Sequence, residues 1–385
     1  MITHARGRNP LYRVQELLHV LLNFFRSNVV LTIALCAAGL SMVLVPPDAA
    51  YADYLDYKTL TCLFTTLAVI CALRNIHFFT TVAQKIVRMA GNLRMTVLSL
   101  VYITFIGSML IANDMALLTF LPLGYFALSS TRMDKYMAPT FILQNIAANL
   151  GGMLTPFGNP QNLYLYEKFM IPNGEFMGIM LVPFAISVAL ITVCCLFFPG
   201  HKLEMGEKVD NKLPAKRTAA YLILFASTIL VVFRVIPYVI GLIVIPAVLL
   251  FMDRDALKQV DYPLLMTFVA FFIFAGNMSR IDVVNNLFSN LLGKNTLLTA
   301  VASCQVISNV PSAILLSQFT DNYRALLMGV NIGGAGTLIA SLASLITFRE
   351  YTKHYPHLTG KYVGLFSAFN FGFLIVLTII CSFLV

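Results

Sequence analysis

Apolar residues run in blocks of about 15 to 25 from Asn28 to Val385, separated by short polar junctions. A hydrocarbon core needs roughly 20 helical residues to cross, so the blocks predict an all-α polytopic membrane protein. Two blocks depart from simple spans. At 93–130 two apolar arms meet at Asn113-Asp114 with no loop, and the second has only 14 apolar residues, from Met115 to Leu128. That length is short for a crossing and predicts a re-entrant hairpin, both ends on one face. At 137–169 a helix is interrupted by GGMLTPFGNPQN, where two prolines and glycines forbid regular geometry.

Both departures recur. FIGSMLIANDMALLTFLPL is answered by ASCQVISNVPSAILLSQF, and NLGGMLTPFGNPQN by NIGGAGTLIASLAS. The spacing is 196 residues from Asn113 to Asn309 and 182 from Gly151 to Gly333. An amphipathic segment precedes each hairpin, at 76–89 and at 280–293. In the second copy the polar-free arm after Pro311 ends at Leu316, which again favours re-entry. The fold predicted is therefore a pair of inverted repeats, each with a re-entrant hairpin and a broken transmembrane helix, with about 9 crossings plus 2 hairpins. The expected organisation is an N-terminal interfacial segment (1–27), a first span and external loop (28–57), repeat 1 (58–198), a basic linker (199–217), a connecting span pair (218–261) and repeat 2 (262–385).

Charge orients this threading. Arg6, Arg8, Arg13 and Arg26 precede the first span, whereas Asp48, Asp53 and Asp56 follow it, so the N-terminus is expected in the cytoplasm and the C-terminus outside. Of 26 basic residues, six fall outside: Lys58, Lys168, Arg234, Arg280, Lys294 and Arg324. No small-residue cleavage site marks a secretory signal, so the N-terminus is expected to be retained. The +9 net charge is spread between spans instead of forming one basic face, which argues against nucleic acid as a partner. The bilayer is the expected partner instead. With 59% hydrophobic residues, 11% charged and a mean hydropathy of +0.82, a soluble globular protein is excluded. The seven cysteines show no CxxC spacing and the histidines no HExxH, so neither a metal site nor a cofactor is expected. Aspartyl chemistry needs paired carboxylates, and the membrane segments offer only Asp114, so the chain is not read as an enzyme.

Freed backbone groups at membrane depth cost several kcal/mol each unless something binds them, which makes the breaks candidate ligand sites. Asp114 is the sharpest candidate, as a ligand for a coupling cation, Na+ or H+; the competing role is an N-cap for the second arm. Asn113 and Asn309, at equivalent tips, suit substrate or ion contact, or capping. Ser108 and Ser308 suit an ion shell, or a bond to the i−4 carbonyl. Thr155, Pro156, Gly158, Asn159, Pro160 and Asn162 form the most specific string, with substrate binding expected at Thr155, Pro156, Gly158 and Asn159. Pro311, Gly334, Gly336 and Thr337 are the second-copy candidates, Thr337 and Pro311 toward substrate and Gly334 toward the cation. The glycine pair also fits simple close packing of helices.

On ANDMALLTF, LTPFGNPQN and ISNVPSAILL the chain resembles the ion transporter superfamily: the citrate-transporter-like domain shared by divalent-anion/sodium symporters, arsenite permeases and sodium/proton antiporters. It looks most like an uncharacterised bacterial inner-membrane branch. The resemblance covers nearly the whole chain and implies an elevator-type, usually homodimeric transporter of the cytoplasmic membrane, moving a small anion such as a carboxylate or oxyanion with Na+ or H+. Its alternatives are arsenite or antimonite efflux and Na+/H+ exchange. The symporters carry Ser-Asn-Thr at both tips, where this chain has Ala112-Asn113-Asp114 and Ser308-Asn309-Val310; both threonines are missing. Cys304 takes the place that matches Ser108. A cation site is therefore expected chiefly in the first copy.

Overall fold

The computed structural model describes residues 28–202 and 213–385, with His19, Phe24 and Phe25 ahead of them. Most of the expected interfacial segment 1–27 and of the basic linker 199–217 lies outside the described residues. Among the described residues there is no strand, only an isolated bridge between Asn92 and Lys202. Among the described residues six helices are long and apolar enough to cross a membrane by length and composition: Tyr57–Asn75, Leu93–Ile111, Asn173–Leu196, Ala215–Val232, Tyr262–Ser279 and Pro356–Cys381.

The chain runs α1 (Val29–Leu44), α2 (Tyr57–Asn75), α3 (Phe78–Arg88), α4 (Leu93–Ile111), α5 (Asn113–Ser130), α6 (Met137–Gly151), α7 (Pro160–Lys168) and α8 (Asn173–Leu196). After α9 (Ala215–Val232) come α10 (Tyr238–Met252), α11 (Arg254–Lys258), α12 (Tyr262–Ser279), α13 (Asp282–Ile307), α14 (Asn309–Leu316), α15 (Tyr323–Ile332), α16 (Leu342–His354) and α17 (Thr359–Cys381). Polar side chains set many of these starts. Asp56 accepts the Thr59 N–H at 3.0 Å, Asn92 that of Met95 at 2.9 Å and Asp261 that of Leu264 at 2.9 Å. Within α13, Asn295 leaves helical geometry (φ −161°, ψ 99°) and its side chain caps Leu298 at 2.8 Å, restarting the helix. The stretch 282–294 is thereby separated from the arm that follows, much as α3 is separated from α4.

Both amphipathic stretches turn apolar side chains outward. Val82 and Ile86 on α3 with Met89 just after it, and Val283, Leu287 and Leu291 on 282–294, are exposed while Ala83 and Val87 are buried. In a membrane protein an exposed apolar stripe beside spanning helices faces lipid. The arms meet at Ala112 (φ 64°) and Ser308 (φ 74°), both in a left-handed backbone region that non-glycine residues rarely adopt. One length differs from expectation: α5 runs 18 residues, beyond the 14 apolar ones, because Pro122 is accommodated inside it and the helix continues through Ser129 and Ser130. In contrast α14 stops at Leu316 after eight residues.

The same order of elements thus occurs twice, and the packing matches. Helix α4 packs on α5 and α6, as α13 packs on α14 and α15. Helix α7 packs on α14, and α16 on α5, so the helix after each break lies on the second arm of the other hairpin. Peripherally α1 packs on α12 and α10 on α2. At one surface Arg280 donates to both carboxylate oxygens of Asp48, at 3.1 and 2.7 Å. That hydrogen bond holds the Asp48 carboxyl below the ordinary carboxylate range. A depressed folded pKa contributes stability that is present above the unfolded value, about 3.9, and lost as pH falls through the folded one. Arg280→Gln is therefore expected to lower the melting temperature at neutral pH, and the gap to wild type should close as pH falls through the depressed Asp48 pKa. Thermal denaturation across pH checks this.

Candidate functional site

Two hairpin tips and two helix breaks converge on a set of buried amides. At each tip the asparagine oxygen caps the next N–H: Asn113 Oδ1 accepts from Asp114 N and Asn309 Oδ1 from Val310 N, both at 2.9 Å. Asn113 Nδ2 then donates to Asn149 Oδ1 at 3.2 Å, and Ser341 Oγ donates to the same oxygen at 2.8 Å. From the first break, Asn159 Nδ2 reaches Asn331 Oδ1 and the Asn149 carbonyl, each at 3.3 Å. Asn331 Nδ2 closes the set on Asn162 Oδ1 at 2.6 Å. Asn149 and Asn331 are the last polar side chains before the two breaks, and each bonds to a residue that follows the other copy's break.

Each break is also tied to the hairpin of its own copy. Thr155 donates to the Met109 carbonyl at 2.9 Å and Thr337 to the Gln305 carbonyl at 3.1 Å. Asn309 N and Ser308 Oγ both donate to the Ala340 carbonyl, at 3.0 and 3.3 Å. Ser108 bonds the Phe105 carbonyl at 2.8 Å, the local bond open to it, at i−3. Pro156 and Pro311 are buried beside the first break and in the first turn of α14. Gly334 lies in the second break, where an added Cβ would stand 3.2 Å from Asn309 Nδ2.

Glycine at 151 is dictated by contact. A Cβ there would meet the Phe105 carbonyl oxygen and, at 2.6 Å, Ser108 Oγ. Gly151→Ala is expected to destabilise by about 1–3 kcal/mol through overpacking, and Gly174→Ala, which meets nothing within 4 Å, by far less. Melting temperatures in detergent check the pair.

The structure gathers Asn113, Asn159, Asn309, Thr155, Thr337, Ser308 and Gly334 around the breaks. Asp114 stands apart from the amide set: it occupies the first turn of α5 with Oδ1 buried and unpartnered, while its N–H is capped by Asn113. Asn149 Nδ2, Asn159 Oδ1 and both amide atoms of Gln161 are likewise buried without a partner. A buried amide without partners costs about 1–3 kcal/mol per group, so these atoms are where a ligand gains most. No group of three or more His, Cys, Asp or Glu side chains that could hold a metal ion occurs among the described residues.

Asn149, Asn331, Gln161, Gln305 and Ser341 belong to the site although they are not among the residues expected from the sequence. The repeated Asn-x-Gly-Gly string was the signal for the first two, since it puts one asparagine at the same step before both breaks. A second amide and hydroxyl set, Asn145 with Ser344 at 3.3 Å and Asn370 at 3.4 Å, continues the polar seam between α6, α16 and α17. At the far end of α7, Arg234 grips Glu167 at 3.3 Å and the Ile171 carbonyl at 3.2 Å, with its guanidinium 3.9 Å over the Tyr166 ring. Beside it a cavity of about 580 Å³ opens between α2, α7 and α12, lined by Asp53, Asp56, Lys58, Lys168 and Gln318.

Apolar helices of crossing length around a buried polar centre define a multi-pass membrane protein. A family model described as citrate transporter matches residues 17–323, and the chain belongs to that family. The match ends at Tyr323, so the second break lies beyond it. The chain is similar to an uncharacterised transporter of Methanocaldococcus jannaschii, 34% identical over 297 residues, covering 76% of this chain and 81% of that one. It is also similar to the inner membrane protein YbiR of Escherichia coli, 27% identical over 320 residues, covering 82% and 85%. The 46 kDa membrane protein of Mycobacterium leprae is 25% identical over 336 residues, covering 76% and 78%.

Proposed function

We propose that this protein is a secondary active transporter that moves a small anionic solute, a carboxylate or inorganic oxyanion, across the cytoplasmic membrane. Coupling is to Na+ or H+, and the two copies work as inverted repeats in alternating access. The observation that carries the reading is the exchange between copies: Asn159 to Asn331, Ser341 to Asn149, α7 on α14 and α16 on α5. Two hairpins facing opposite ways, each backed by the other copy's half-helix, present tip amides and freed backbone groups to one centre from both sides. Amide N–H groups and the helix starts at Pro160 and Leu342 suit an anion. The tip at Asp114 and the break carbonyls suit a cation. Family membership and the printed transporter names of relatives support the class. On this reading each copy takes in one further peripheral helix beyond 58–198 and 262–385, supported by the packing of α1 on α12 and of α10 on α2.

A second reading, exchange or efflux instead of uptake, is favoured by one observation: the first tip carries a carboxylate, Asp114, where a hydroxyl would better serve an anion. Electrical recording from purified protein on a supported membrane separates the two. Current on addition of citrate, succinate or sulfate in the presence of Na+ or a proton gradient supports uptake. A response to Na+ and pH alone supports exchange.

Re-entry has its own test. With native cysteines replaced, a cysteine at Ala112 should resist a bulky impermeant thiol reagent from outside, because the tip stops inside the membrane. Free labelling there from outside would mean that α4 and α5 both cross.

A further inference from the structure

The two breaks are built alike but completed differently. Thr155 and Thr337 bind equivalent hairpin carbonyls, and Gly151 lies against Ser108 as Gly333 lies against Cys304. One position further along the arms the copies part. Met109 offers an apolar side chain, whereas Gln305 folds its carboxamide into the second break. Its Nε2 donates to the carbonyls of Gly333 at 2.9 Å, Ala335 at 3.2 Å and Val301 at 3.1 Å, and its Oε1 accepts the Thr337 N–H at 2.9 Å. Those partners fix the amide's orientation, because reversal would set Oε1 against three carbonyl oxygens. Gly336, at φ 123°, passes so close to Oε1 that no side chain fits between them.

The Gly333 and Ala335 carbonyls, freed by the break inside a membrane protein, need a donor or a cation, and here a tethered amide supplies it, with the Val301 carbonyl of its own helical turn as a third contact. In the first break Asn162 Nδ2 answers the carbonyls of Gly152, Met153 and Thr155 at 3.1 to 3.3 Å. Yet Asn149 Nδ2, Asn159 Oδ1 and both amide atoms of Gln161 stay buried and unpartnered in or beside it. Among the described residues no side-chain atom of Gln305, Asn331, Thr337 or Ser341 is left in that state.

We propose that the Gln305 carboxamide is a built-in surrogate for a monovalent cation in the second break, so that the second break holds no exchangeable cation and one coupling cation serves each cycle. The single-cation consequence rests on the transporter reading; the surrogate role itself does not. Its test reads sodium binding by the purified full-length protein, with no flux involved. Melting temperature is measured in NaCl against choline chloride at equal ionic strength for wild type, Gln305→Met, Gln305→Lys and each combined with Asp114→Asn.

Gln305→Met, which installs the first copy's residue, is expected to melt about 5 °C or more below wild type in choline, from the carbonyls it strands. Saturable Na+ should recover most of that loss, and the recovery should persist when Asp114→Asn is added. Gln305→Lys carries its own cation and should fold, melt within a few degrees of wild type and gain no Na+ dependence. The proposal is overturned if Gln305→Met is no more sodium-dependent than wild type, or if Asp114→Asn removes its whole dependence. It is equally overturned if Gln305→Lys fails to fold or acquires a sodium response. Loss of transport with these shifts intact would count against the transporter reading alone.

Discussion

Asn149→Ala is expected to lower transport about 100-fold while the protein still inserts and folds. Asn149 Oδ1 accepts two buried donors, Asn113 Nδ2 at 3.2 Å from the first tip and Ser341 Oγ at 2.8 Å from beyond the second break. Truncation strands both. A buried donor left alone costs about 1–3 kcal/mol, and roughly 1.4 kcal/mol is a tenfold change in an equilibrium. Two stranded donors therefore suffice for about two orders of magnitude in the population of the closed tip. Asn331→Ala should behave alike, because Asn159 and Asn162 both bond to it. Initial uptake rates in proteoliposomes, normalised to folded protein by size-exclusion chromatography, check both variants. Because the tip is a positioning contact, Asn149→Gln should lose rate through KM and kcat together and not recover with solute concentration.

Asp114→Asn is expected to remove the dependence of transport on the coupling cation. Its Oδ1 is buried with no hydrogen-bond partner, one residue beyond the tip, and its own N–H is already capped by Asn113. The capping role is thus taken by its neighbour, which leaves cation binding as the use for a carboxylate that costs at least about 2.5–3.5 kcal/mol to insert. Asparagine preserves shape and removes charge. Uptake measured over pH 5 to 9 with and without Na+ should become flat in whichever ion couples, and rates should fall at least tenfold at the wild-type optimum. Unchanged dependence on both ions would sink the assignment.

Much of this architecture was legible in the chain. Apolar block lengths located the helices within a few residues, and the tips at Asn113 and Asn309 and the break at Thr155 to Asn162 stood out because polar, proline and glycine residues are so costly inside apolar runs. The contacts that make a site of them were not legible. Asn159 meets Asn331, and Ser341 meets Asn149, across 172 and 192 positions. Spacing along one strand of sequence carries no trace of such a pairing until the two copies are folded against each other. Gln305 was hidden for a different reason. One amide in a 26-residue helix is unremarkable as composition and acquires meaning only from the four backbone groups around it. The length of α5 is hidden because Ser129 and Ser130 look like a terminus, whereas a hydroxyl in a helix can bond back to the preceding turn, as Ser130 does to the Ala127 carbonyl at 3.5 Å.

The central claim is that two copies share one centre at which an ion gradient drives a solute. Its most direct test is accumulation in proteoliposomes of the purified protein, loaded without solute and given an inward Na+ or proton gradient. The account predicts that a labelled small anion rises inside above its outside concentration, and that gramicidin or a protonophore collapses the excess. Flux that only equilibrates, at a rate indifferent to both gradients, would contradict it.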